Sequence, residues 1–101
     1  MNVTDVDSRP RPGQIVRILR GRDAGNFAIV VGLKPPHFVL LADGDCRKMD
    51  CPKKKNIRHI QVTNTINHEV ADLLEKDGRV NNAKLRYALN QYLLNMEHKG
   101  E

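Results

Sequence analysis

Residues 13–33, GQIVRILRGRDAGNFAIVVGL, decide how this chain folds. Apolar and polar positions alternate at first, with Val16 and Ile18 set against Arg17 and Arg20. The pattern breaks at Gly21, Arg22, Asp23, Ala24 and Gly25, then resumes as an apolar run over 27–31. This predicts a strand, a tight turn and a second strand. Glycine takes positive φ readily and lets another backbone come close, so a turn bracketed by two glycines is suited to presenting backbone and a few charges outward.

Working outward, residues 1–12 contain Pro10 and Pro12 among polar neighbours with no periodicity. They read as a flexible lead-in that can add Arg9 and Arg11 to a binding surface. The first strand is expected over 14–20 and the second over 26–33. Lys34, Pro35, Pro36 and His37 form the next turn, because proline cannot donate to a sheet ladder. A third strand is expected over 38–42, a hairpin turn at Asp43, Gly44 and Asp45, and a fourth strand over 46–50. A basic loop then covers 52–56, and a fifth strand covers 56–62 with Ile57, Ile60 and Val62 as its apolar residues. Five short strands joined by tight turns predict a small closed or partly closed barrel, which removes exposed sheet edges. Periodicity does not distinguish an SH3-like barrel from a five-stranded OB barrel.

After Thr63 the period changes. Ile66, Val70, Leu73 and Leu74 lie at i, i+4, i+7 and i+8, which predicts an amphipathic helix over 67–76. Gly78 is placed to end it in a left-handed conformation. Asn81 or Asn82 can cap a second helix reaching about residue 98, with Leu85, Ala88, Leu89, Tyr92, Leu93 and Met96 on its apolar face. Neither helix is long enough to be stable alone in water, so the stripes need each other, the barrel or a partner. The leucine stripe reads first as core, and docking onto another protein, helix in groove, is the alternative.

Composition narrows the function. The chain has 101 residues, 40% of them hydrophobic and only four aromatic, which fits one modest core without a large enzyme cleft. No apolar run is long enough to span a membrane, and the N-terminus has no signal-peptide h-region, so a cytoplasmic protein is expected. Cys46 and Cys51 suit free thiols, buried or on an edge strand, and match zinc-ligand spacings poorly even with His37, His59 or His68 added. No histidine, serine or carboxylate constellation suggests catalysis, and the glycine turn lacks a nucleotide-loop pattern; no enzymatic activity and no cofactor are expected.

The net charge of +5 is localised. Residues 46–60 carry Arg47, Lys48, Lys53, Lys54, Lys55 and Arg58 against Asp50 alone, while the remaining 86 residues carry eleven charges of each sign. So concentrated a patch attracts phosphate or an acidic surface. A solvated loop is the plain alternative. With no interleaved aromatics to stack single-stranded bases, recognition of folded RNA by shape is favoured.

The pattern Gly13, Val16, Ile18, Gly21, Arg22, Asp23 and Gly25 before a β-rich run resembles the KOW motif of large-subunit ribosomal proteins and NusG-type transcription factors. Residues 38–44 (FVLLADG), Arg47, Lys48 and residues 52–60 (PKKKNIRHI) are similar to ribosomal proteins of the fourteen-e type and their bacterial KOW relatives. The resemblance ends at about Val62. It implies the SH3-like form of the barrel and a turn that contacts RNA or protein through Arg20, Gly21, Arg22, Asp23, Gly25 and Asn26. Asn26 stands where the family more often has lysine or arginine. Asp23 itself is read as a turn former that bonds its own backbone.

The expected fold is therefore mainly β with an α tail: a lead-in over 1–12, a five-stranded SH3-like (KOW) barrel over 13–63, and two C-terminal amphipathic helices within 64–101. The expected function is a non-catalytic RNA-binding protein on structured ribosomal RNA of the large subunit, monomeric when free, with further ribosomal-protein contacts through its helices. Its RNA-binding residues are Arg17, Arg20, Gly21, Arg22, Asp23, Gly25, Asn26, Arg47, Lys48, Lys53, Lys54, Lys55, Arg58 and His59. A NusG-like adaptor that binds polymerase or a translation factor is the alternative.

Overall fold

In the computed structural model, residues 9–99 are described; most of the expected lead-in, residues 1–8, lies outside them. The alternation around Val16 becomes strand β1 (Gln14–Ile18), and the apolar run becomes β2 (Phe27–Lys34). β3 (Phe38–Ala42) follows, then β4 (Lys53–Asn56), a 3-10 turn (Ile57–His59) and β5 (Ile60–Ile66). Two helices close the chain, α1 (His68–Asp77) and α2 (Asn82–Lys99). The five strands form one antiparallel sheet in the order β4-β3-β2-β1-β5. No ladder joins β4 to β5 among the described residues, so the sheet is not closed by hydrogen bonds.

Both faces of this sheet are buried. Ile15, Ile29 and Ala42 project from one face against Val70, Val80, Leu85, Ala88 and Leu89, so the helices cover it. Val16, Ile18, Ala28, Val30, Val39, Leu41 and Ile60 project from the other face and pack together, with Ile57 of the 3-10 turn against them. A single sheet layer buries its second face only by bending around it. Register shifts between Gln14 and Val16 and between Val30 and Gly32 provide local bends, as β-bulges do. At the first shift buried Gln14 is held at both ends of its amide: the nitrogen donates to the Thr63 carbonyl at 2.8 Å, and Oε1 accepts from the Arg11 N–H at 3.0 Å. Thr63 Oγ1 donates to the Ile15 carbonyl at 2.7 Å, so side chains replace ladder bonds that the irregularity removes.

Two strand expectations fail for local reasons. Residues 46–50 form no strand. Instead the Asp43 carboxylate accepts the N–H groups of Asp45 and Arg47, both at 2.8 Å, and the N–H groups of Asp43 and Gly44 both donate to the Arg47 carbonyl. The loop satisfies its own backbone, and Met49 N–H goes to Asn82 Oδ1 of α2. The open edge of β3 is paired instead by the lysine run, expected as a loop, in the register Val39–Lys55, Leu40–Lys54 and Leu41–Lys53. The fifth strand likewise begins four residues later than expected. Asn56 accepts from the Arg58 N–H and turns 57–59 into 3-10 geometry before the chain rejoins β1.

The helix signals hold except at Ile66: the periodicity puts it first in the α1 stripe, but it ends β5, paired with Gln14 of β1. Asn67 caps α1 through Val70 N–H, Gly78 ends it at φ +76°, and Asn81 rather than Asn82 caps α2 through Lys84 N–H. Two glycines set how closely the helices dock. A Cβ on Gly13 would lie 2.7 Å from Ala71 Cβ of α1, and one on Gly44 would strike the Asn82 carbonyl and lie 3.1 Å from Leu85 Cβ. Arg86 reaches back from α2 to the Gly44 carbonyl at 2.6 Å. The leucine stripe divides along its length: Leu85, Ala88 and Leu89 are core, whereas Leu93 and Met96, with Leu94 beside them, are exposed.

Candidate nucleic-acid interface

The β1–β2 turn is held from three sides. Gly25 N–H donates to the Ile18 carbonyl at 2.7 Å and closes the turn on itself. Leu19 N–H donates to the His59 carbonyl at 2.8 Å, which seats the end of the 3-10 turn beside Arg20. Arg47 bonds the Asp23 carboxylate at 3.3–3.4 Å, tying in the 43–52 loop. Asp23 therefore acts as a brace between loops, where the sequence suggested a residue that bonds its own backbone. Gly21 lies under the Lys55 ammonium, 2.8 Å from where a Cβ would be, so β4 reaches the turn across the mouth of the bent sheet.

These contacts bring much of the expected RNA surface together. Arg20, Gly21, Arg22, Gly25 and Asn26 are exposed on the turn, with Lys55 over it and Arg58 and His59 beside it. Lys53 and Lys55 share the face of Val39 and Leu41 along the open edge of β4. Lys54 points to the opposite face, where its Nζ sits over the Phe38 ring at 4.7 Å from the centroid. Such a contact stabilises the cation without neutralising it.

Three expected residues stand apart. Arg17 is exposed but projects on the helix-covered face, level with Phe27. Arg47 has Asp23 as its partner, and Lys48 Nζ donates to the Asp45 carbonyl at 3.2 Å within its own loop. Asp50, the one acid of the basic segment, is paired with Arg79. Among the described residues, Arg20, Arg22, Lys53, Lys54, Lys55 and Arg58 have no acidic side-chain partner and gather at the turn, β4 and the 3-10 turn.

Cys46 and Cys51 are free and exposed, a correction to the expectation of buried or edge-strand thiols that follows from the loss of the fourth strand. Among the described residues no three His, Cys, Asp or Glu side chains gather as metal ligands would, and no helix is long and apolar enough to cross a membrane. Sequence reasoning missed Phe38 as a cation partner. Its signal was positional, since an edge lysine meets the residue diagonal to it on the neighbouring strand.

No family model matches the chain. It is 36% identical over 70 residues to a Bacillus subtilis protein named "Putative ribosome-binding protein YbzG", a match that covers 69% of this chain and 95% of that one.

Proposed function

The chain belongs to one family with the Bacillus subtilis protein YbzG, and from that premise we propose that it is a non-catalytic, ribosome-associated protein that contacts structured ribosomal RNA of the large subunit. In this reading the bent sheet is the KOW, SH3-like form. The observation that carries the reading is the Lys55 ammonium above Gly21, which joins the glycine turn and the lysine strand into one cationic surface. Arg20 and Arg22 offer planar forks for phosphate, Lys53 and Lys55 add point charges, and the exposed turn backbone lets a strand approach. Phosphate contacts give affinity without sequence choice and make it fall with salt.

The test is co-sedimentation of the tagged protein with ribosomes on a sucrose gradient at low and high salt, for wild type and for Lys53→Glu/Lys54→Glu/Lys55→Glu. Migration with the large subunit that weakens with salt and is lost in the variant is the expected result. A wild type that stays at the top of the gradient in both salts would overturn it.

A second reading, an adaptor for polymerase or a translation factor, draws support from exposed Leu93, Leu94 and Met96 on α2. It predicts capture that survives high salt and is lost in Leu94→Asp. Leu89 is unsuitable for that test because it is buried and a charge there would unfold the core.

A further inference from the structure

A cleft of about 320 Å3 opens at the far end of β2 and β3, walled by Pro10, Leu33, Pro35, Pro36, Phe38 and Ile57, with Arg9 at its rim. We propose that this cleft receives one unpaired nucleobase of the bound RNA, an inference that rests on the RNA-binding reading above.

The walls are apolar and in part flat: proline rings and the Phe38 ring offer faces on which a base stacks whatever its identity. Leu33 remains 44% exposed although it lies on a strand, so the apolar wall is open to an occupant. The size lies at the small end of ligand pockets, enough for a single base.

The surroundings select an anion. No residue that lines the cleft is acidic, and Lys34 stands between Leu33 and Pro35 of its wall. Arg9 borders the opening and the Lys54 ammonium lies over the Phe38 ring. A ligand that is flat and apolar at its centre and anionic on either side has the chemistry of a nucleotide extruded from a folded RNA.

The cleft is continuous with the phosphate surface. Ile57 lines it and also opens the 3-10 turn that carries Arg58 and His59, while Ile57 N–H donates to the His37 carbonyl at 2.8 Å. Phe38 pairs with Asn56, one residue beyond Lys55. RNA lying along β4 thus passes the mouth of the cleft. Four aromatics scattered through the sequence suggest no stacking platform; the fold makes a place for one base from a single phenylalanine and its neighbouring prolines.

The test compares two RNA hairpins of equal length, one fully paired and one with a single bulged uridine, in equilibrium binding at fixed salt. Wild type should bind the bulged hairpin roughly tenfold more tightly, within the range that stacking of one base on an aromatic ring provides. Phe38→Ala should abolish that preference, bringing the two hairpins to equal affinity, whatever general loss follows from removing the ring under Lys54. Equal wild-type affinity for the two hairpins would overturn the base cleft and leave the phosphate surface standing. Failure to bind either would overturn both. Should Phe38→Ala not fold, a 4-thiouridine at the bulge, cross-linked to wild-type protein and mapped by mass spectrometry, decides: adducts at the cleft residues support the proposal, and adducts confined elsewhere refute it.

Discussion

Replacing Gly44 by alanine should separate the helices from the sheet more effectively than its size suggests. Gly44 has φ +81°, and a Cβ there would meet the Asn82 carbonyl, the Arg86 Cγ at 3.0 Å and the Leu85 Cβ at 3.1 Å. Left-handed backbone costs an alanine about 1–2 kcal/mol. Forcing an atom into a packed contact costs about 1–3 kcal/mol more, because the obstacle here includes the first backbone carbonyl of α2, which cannot rotate aside. The expected loss is therefore about 2–5 kcal/mol, against a total stability of about 5–15 kcal/mol for a small domain. Gly25→Ala is the internal control. Its φ is +92° and nothing lies within 4 Å of the added atom, so only the backbone cost of about 1–2 kcal/mol applies. At about 4–8 °C per kcal/mol for a domain this small, Gly25→Ala should melt roughly 5–15 °C below wild type and Gly44→Ala roughly 10–40 °C below. Ellipticity at 222 nm follows the helices, and urea unfolding gives the free energies. If Gly44→Ala proved no more damaging than Gly25→Ala, α2 would not be packed on the 43–47 loop as described, and the core shared by helices and sheet would be in error.

Leu85→Ala, at a fully buried site between the helices and the sheet, should cost about 2–5 kcal/mol and lower the midpoint of a single transition rather than create a second one. Asn67→Ala removes the cap of α1 and should cost about 0.5–2 kcal/mol in urea unfolding, with RNA affinity unchanged. In binding to a fully paired RNA hairpin, Lys53→Gln/Lys55→Gln should lower the slope of log affinity against log salt by about two, one for each phosphate that the variant leaves un-neutralised. An unaltered slope would remove these lysines from the interface.

How far the sequence could be read depended on where each backbone group found its partner. The β1–β2 turn, the third strand and both helix caps are set by residues within a few positions of one another: two glycines, an alternating pair, an asparagine three residues before the N–H it accepts. These were legible. The fourth strand was not, since residues 46–50 differ from a strand chiefly in that Asp43 takes the backbone donors of Asp45 and Arg47. The lysine run has low strand propensity and became a strand because β3 would otherwise carry an open ladder edge. The site followed the same division. Arg20, Gly21 and Arg22 could be recognised from the turn, but the withdrawal of Arg47 to Asp23 and the placing of Lys55 over Gly21 depend on residues more than twenty positions apart.

Their place on the sheet edge gives Lys53, Lys54 and Lys55 two physical roles that must be told apart. On an edge strand, charged side chains deter pairing with another chain, and lysine is the common choice for it. Edge protection requires charge but is nearly indifferent to its sign, whereas phosphate binding requires positive charge. Glutamate at the three positions would therefore keep the edge guarded and the protein monomeric while repelling RNA. Glutamine keeps neither function fully, so a glutamine variant that lost RNA could also have begun to associate with itself. The reversal of sign is accordingly the sharper comparison: a glutamate variant that stays soluble and monomeric, melts near wild type and leaves the ribosome would assign the lysines to RNA. One that remained on the ribosome would leave edge protection as sufficient reason for the run.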